Sequence, residues 1–261
     1  MEGELMNGWS PSELFHEAVV VPRRAWVPLP DLEVVERPGW LQIVTPSFRQ
    51  GGFNEVAHAV LDEREADAVI DRTIAGYRDR GIRFRWTVGP DSAPADLAER
   101  LARRGLVRSL SRAMVRSTAP LANLALAPGV SVEPVDAHNV EAYTEVMAAG
   151  WGADPEPLRR VHALVLGAPS SHRLTLGRVD GQPAGAAGQV LFARSTYLLG
   201  AVVLPAFRRR GLYAALVAAR LDLARAAGLD LATSLARAET SAPLLERLGF
   251  QTVSEVASLS G

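Results

Sequence analysis

The sequence predicts a mixed α/β protein in which one plan of strands and helices is laid down twice. Three observations point there. Short apolar or alternating runs are interleaved with stretches whose apolar residues recur at helical spacing. Residues ~54–116 and ~196–256 share one order: strand, long helix, strand, short helix, a Gly-Leu or Gly-Phe step, strand. The 48% hydrophobic and 22% charged residues, over 261 positions, suffice for one large domain, or for two of about 130 residues.

The elements follow in order. Ser10 and Glu13 have capping-box spacing, so a short helix is expected from about Pro11 to Ala18. Pro22, Pro28, Pro30 and Pro38 then punctuate extended chain. Trp40 to Thr45 and Phe53 to Val60 read as strands, and Asp62 with Glu65 reads as a second capping pair. The helix beyond it carries Ala66, Val69, Ile70, Thr73, Ile74 and Tyr77 on one face and stops at Gly81. Ile82, Phe84, Trp86 and Val88 alternate with polar residues as in a half-buried strand. A helix from about Pro94 to Arg104 and a strand near Ala113 to Arg116 close the first half.

Ala119 to Gly129 is the expected linker, dividing the chain into domains at 1–120 and 128–261. Beyond it, Val130 to Pro134 reads as a strand, with helices at Asn139 to Ala149 and Pro155 to Leu166. Arg173 to Val179 and Pro183 to Phe192 flank a hairpin turn at Asp180-Gly181-Gln182. Thr196 to Leu204 is the next strand. The helix after it sets Leu212, Leu216, Ala219 and Leu223 on one face and ends at Gly228. Asp230 to Leu235, Ser241 to Leu248 and the chain after Phe250 then give strand, helix, strand.

Composition excludes several chemistries. There is no cysteine, hence no disulfide, thiolate nucleophile or cysteine metal site. There is no lysine either, which removes Schiff-base chemistry and the lysine of a Walker-type loop. GC-rich coding is the simplest account of an arginine-only chain. A net charge of −1 offers no field to recruit nucleic acid or an anionic membrane. No stretch approaches the ~20 apolar residues that span a bilayer, and Met1 to Ser10 lacks a signal pattern. A cytoplasmic monomer or homodimer is expected, with no nucleic-acid or membrane partner. His58 and His138 have no partners at ligand spacing, so no metal site is expected.

The chemically committed stretch is Val202-Val203-Leu204-Pro205-Ala206-Phe207-Arg208-Arg209-Arg210-Gly211-Leu212-Tyr213-Ala214. A strand ends at proline, and an arginine-glycine loop opens directly into a helix. Free first-turn N–H groups and arginine forks then converge on one spot, which suits a diphosphate. Gly211 permits close approach or positive φ. The corresponding junction of the first half, Leu61 to Glu65, has no glycine and three carboxylates, which would repel a pyrophosphate.

These residues resemble the GNAT N-acetyltransferase superfamily. Its motif, Gln or Arg, two residues, Gly, one residue, then Gly or Ala, is matched by Arg208 and Gly211, with Tyr213 at the usually small last position. Leu248-Gly249-Phe250 matches its Leu-Gly-Phe step. The resemblance covers about residues 130 to 256, and the first half resembles a degenerate copy lacking the pyrophosphate loop. It implies two tandem GNAT-like domains, each a central mixed sheet flanked by helices. It also implies acetyl-CoA or a related acyl-CoA as donor. The pantetheine arm would pair with Val202-Val203-Leu204, and the pyrophosphate would lie on the N–H groups of Arg209 to Ala214. A backbone N–H near Val203 would polarise the acetyl carbonyl.

No catalytic residue is assigned. Family members often carry a tyrosine acid where this chain has Leu245, and an asparagine where it has Thr240. Glu239, His162 and His172 are candidate bases, although solvated or locally bonded side chains are the commoner role for such residues. Trp151 either lines the acceptor cleft, as the resemblance implies, or caps the core. Three functions are compatible with the sequence: N-acetyl transfer to a small-molecule or peptide amine, acyl-CoA binding without catalysis, and a structural tandem scaffold.

Overall fold

A computed structural model describes residues 8–122, 124, 126–167 and 170–261. The architecture is the expected mixed α/β one, with mixed sheets flanked by helices. The chain forms two compact units. The larger takes Met1–Val27, Met114–Leu235 and Leu244–Gln251; the smaller takes Pro28–Ala113, Ala236–Pro243 and Thr252–Gly261. The halves 1–120 and 128–261 divide the chain by order, whereas the compact units divide it in space. The expected linker includes Asn123 and Ala125, which lie outside the described residues, as do residues 1–7.

The N-terminal segment begins with α1 (Pro11–Phe15), closed by the expected Ser10–Glu13 capping box. The helix continues as a wider π turn, His16–Val20, and a 3-10 turn, Val21–Arg24. Leu14, Ala18 and Val19 are buried. Glu17 accepts from the Ser195 hydroxyl at 2.6 Å, and Trp9 lies under the Arg194 guanidinium, 4.4 Å from its ring centroid.

In the smaller unit lie β1 (Glu33–Arg37), β2 (Trp40–Val44), β3 (Glu55–Ala59), α2 (Ala66–Asp79), β4 (Arg85–Val88) and α3 (Leu97–Arg103). Strand β5 (Val107–Ser117) follows, far longer than the expected Ala113 to Arg116. The sheet order is β1-β2-β3-β4-β11, where β11 is Gln251–Ser260. Trp40 and Trp86 meet edge to face at 5.6 Å, and Tyr77 stacks on Phe84 at 4.2 Å. Two expectations shift. Asp62 does not cap α2 but accepts from the Arg64 N–H at 2.9 Å. Strand β4 starts three residues late because the Arg83 N–H is spent on the Arg49 carbonyl.

The larger unit holds β6 (Val130–Pro134), α4 (Val140–Trp151), α5 (Pro155–Gly167), β7 (His172–Val179), β8 (Gln182–Leu191), β9 (Ser195–Val203), α6 (Leu212–Ala226), and parts of β10 (Leu231–Arg237) and α7 (Ala242–Arg247). Its strands run in the order β10-β9-β8-β7-β6. Strands β9 and β10 pair in parallel, and β6 to β9 form an antiparallel meander. Asp180 and Gly181 make the two-residue turn between β7 and β8 with φ of 51° and 78°, as the sequence predicts.

The two sheet faces have separate cores. Tyr143, Val146 and Met147 of α4 pack on Leu176, Ala186 and Val202. Leu212 and Leu216 of α6 pack on Val179, Ala184 and Ala187. The helix lies so close that a Cβ at Gly177 or Gly185 would meet Leu212 at 2.6 Å or 2.9 Å. Glycine on β7 and β8 is what admits α6.

Candidate functional site

Strands β9 and β10 pair over Leu231↔Ser195, Ala232↔Thr196 and Thr233↔Tyr197. Past that point the described ladder stops, and the Ser234 hydroxyl reaches the Leu198 carbonyl at 3.0 Å. On its other side β9 stays paired with β8, but Ala187↔Ala201 is followed by Gly188↔Leu199. Gly200 is the extra residue of a bulge, with φ of 38°.

The bulge changes which backbone groups face the opening. The Leu204 N–H donates to the Ala184 carbonyl at 2.9 Å. That makes Ala184–Leu204 a hydrogen-bonded pair, and Gly185–Val203 the alternate kind whose groups point away from β8. By the same alternation Ala186–Val202 is bonded and Ala187–Ala201 is not. Ala201 and Val203 therefore turn their backbone groups to the open edge, while Val202 and Leu204 spend theirs on β8. Of the expected trio Val202, Val203 and Leu204, Val203 turns its backbone groups to the open edge, and Val202 and Leu204 turn theirs to β8. A single inserted residue inverts the alternation, so that the Ala201 backbone faces the same edge as that of Val203. The Val202 side chain belongs to the α4 core.

A 3-10 turn, Pro205–Phe207, leads into the loop. Arg208 donates from Nε to the Val203 carbonyl at 3.2 Å. Arg210 pairs with Asp180 of the β7–β8 turn at 2.8 Å. Arg209, with φ of 65°, has no ion pair among the described residues. Gly211 caps α6 in the left-handed region, φ 79°. The first backbone bond into the helix is Ala215 N–H to the Gly211 carbonyl at 3.0 Å. Among the described residues, the N–H groups from Arg209 through Leu212 and Tyr213 to Ala214 have no partner. Left-handed residues within such a run are how a backbone gathers N–H groups around an anion.

Residues 137–250 match the model of the acetyltransferase (GNAT) family. The chain contains a GNAT domain. Solved structures share the fold over nearly the whole chain. A functionally unknown protein from Staphylococcus epidermidis is 14% identical with a TM-score of 0.71, covering 89% of this chain and 95% of its own. A GCN5-related N-acetyltransferase from Kribbella flavida is 18% identical with a TM-score of 0.70, covering 93% and 94%. A tandem GNAT protein from the clavulanic acid biosynthesis pathway is 16% identical with a TM-score of 0.62, covering 94% and 87%. No curated protein matches the sequence.

The remaining candidates fall around the GNAT domain as follows. Trp151, 49% exposed, stands over the bulge: a Cβ at Gly200 would meet its ring at 2.8 Å. Leu245, in the larger unit, is 2% exposed; Glu239, in the segment assigned to the smaller unit, is exposed. His162 is buried, its Nδ1 sharing a hydrogen bond with the Thr144 hydroxyl at 2.8 Å, and burial lowers its pKa to about 4. His172 shares a hydrogen bond with Ser170 at the start of β7; burial lowers its pKa too. Neither histidine lies on β9 or in the loop. Burial raises the Tyr213 pKa. Tyr213 shares a face of α6 with Arg220 seven residues on. A cavity of ≈ 320 Å³ bordered by Val135, Val165, Leu166 and His172 includes none of the loop residues. Among the described residues, no group of three or more His, Asp or Glu could hold a metal, and no helix is long and apolar enough to cross a membrane.

The smaller unit repeats the parallel pairing at β3 and β4, through Glu55↔Arg85 and Val56↔Trp86. There the chain beyond β4 turns back on itself. Ala93 donates to the Ala59 carbonyl at 3.1 Å and accepts from the Leu61 N–H at 3.0 Å. Its own backbone takes up the edge that β9 leaves free in the GNAT domain.

Proposed function

We propose that the GNAT domain transfers an acyl group from acetyl-CoA, or a related acyl-CoA, to an amine of a small molecule or a peptide. The observation that carries this reading is the parting of β9 from β10 beside a bulge, with Ala201 and Val203 turned to the open edge. An extended amide-bearing arm pairs with such an edge as a strand would. Their N–H groups stabilise the negative charge that develops on the acyl oxygen as the amine adds. The loop supplies what a diphosphate needs: N–H groups from Arg209 to Ala214 and an Arg209 guanidinium that have no partner among the described residues. Arg208 holds the Val203 carbonyl, and Arg210 is steadied by Asp180. The amine nitrogen forms the new bond to the acyl carbon, and the C–S bond breaks. The nitrogen loses a proton to solvent, and the thiolate gains one. The first half, 1–120, is read as a degenerate GNAT-like domain without a pyrophosphate loop, and 128–261 as the acetyltransferase domain.

Calorimetry with acetyl-CoA tests the donor: the wild type should bind and Gly211→Asp should not. An absence of binding to the wild type sinks the donor assignment. Thiol release across a panel of amines then tests transfer. A second reading, acyl-CoA binding without catalysis, is favoured by the buried apolar Leu245, which offers no acid for the departing thiolate. Intact binding with no thiol release from any amine would select that reading.

A further inference from the structure

Arg220, on α6, is 2% exposed, with Tyr143 and Tyr213 as its titratable neighbours. Burial lowers its pKa to about 10, and no carboxylate pairs with it among the described residues. A buried cation without a counter-charge is costly, so apolar stabilisation does not account for it. Its hydrogen bonds are specific. Nε donates to the Leu216 carbonyl one turn back, at 3.0 Å, and Nη1 donates to the Gly188 carbonyl on β8, at 3.1 Å. Gly188 is the residue opposite Leu199, immediately before the extra residue Gly200 of the bulge. Gly185 lies under Leu212 and Leu216, so α6 advances along β8 until Arg220 stands at the level of the bulge.

We infer that Arg220 is a positioning residue that ties the loop-bearing helix α6 to the β8 side of the bulge and so fixes where the Ala201 N–H points. The inference rests on the acyltransferase reading for its consequence in turnover, but not for its structural content. One end of α6 carries the unspent N–H groups of the loop. Two turns on, the guanidinium reaches the carbonyl beside the residue that inverts the strand. A neutral side chain of similar length would fill the volume, and only the tie would be lost.

The test uses the full-length protein with Arg220→Met and Arg220→Lys. Arg220→Met should keep its melting temperature, because it removes an unpaired buried charge. In the free protein its Gly200 and Ala201 amide resonances should move more than those of β7. Acetyl-CoA affinity should stay within about threefold, while thiol release should fall about tenfold, the scale of a small misplacement of reacting groups. Arg220→Lys, which can still donate to Gly188, should recover part of both signals. Unmoved amides in Arg220→Met overturn the inference, as does a loss of stability with unchanged thiol release. If the wild type releases no thiol with any amine, the acyltransferase reading fails by itself and the amide resonances alone decide. If Arg220→Met does not fold, Arg220→Leu takes its place, and unmoved Gly200 and Ala201 amides with full thiol release in that variant overturn the inference equally.

Discussion

At the scale of single residues, the larger unit contains polar groups whose partners decide what they do. Arg208 and Arg210 are already engaged by Val203 and Asp180, so Arg209 is the arginine left to meet an anion. Arg209→Ala should weaken acetyl-CoA binding about tenfold by calorimetry, the worth of one charge-assisted contact. Gln189 is fully buried, and neither amide atom has a partner among the described residues. Gln189→Met should therefore raise stability by about 1 kcal/mol in denaturant titrations, since it removes an uncompensated desolvation. A loss of stability would contradict that account. His162 is held neutral with a pKa of about 4 against an ordinary 6.5. The unfolded chain then binds more protons between those values, so stability is full above pH 6.5 and falls as the pH drops towards 4. The loss should reach about 3 kcal/mol. His162→Gln should flatten that slope in urea midpoints measured between pH 7 and 4.

At the scale of elements, the bulge in β9 matters more than the strand itself. Gly200 has positive φ, and Trp151 stands where its Cβ would be. Gly200→Ala should cost about 1–2 kcal/mol for the left-handed backbone alone, before the ring has to move. Adding Trp151→Ala should recover the steric part and leave the backbone part. A double-variant stability equal to that of Gly200→Ala would show that the ring contact contributes nothing. The aromatic at Trp151 thus has a definite place against the bulge, where the sequence left lining and capping equally open.

At the scale of the whole molecule, each unit has a parallel strand pair, with opposite outcomes at one edge. In the GNAT domain the edge of β9 is open beside the loop; in the smaller unit Ala93 bonds the corresponding edge at Ala59 and Leu61. With three carboxylates at its helix entry as well, the smaller unit should take up no coenzyme. Calorimetry should return one acetyl-CoA per chain, and a stoichiometry of two would overturn that expectation.

Sequence alone determined the order of helices and strands from β2 onward, the Asp180-Gly181 hairpin and the arginine-glycine entry to α6, while β1 (Glu33–Arg37) lay in chain read only as extended. These depend on turn chemistry and hydrophobic period, which neighbouring residues set locally. It also carried the contrast between the two halves, because carboxylates and glycine at a helix entry act within one turn. Tertiary structure decided the rest. Which β9 groups face the opening depends on Gly200 being the extra residue against β8, and a period-2 pattern cannot show a one-residue insertion in its partner register. The assignment of residues to two compact units, the closing of the smaller unit's edge by Ala93 and the burial of Arg220 against Gly188 all depend on residues far apart in the chain. No local propensity encodes those distances.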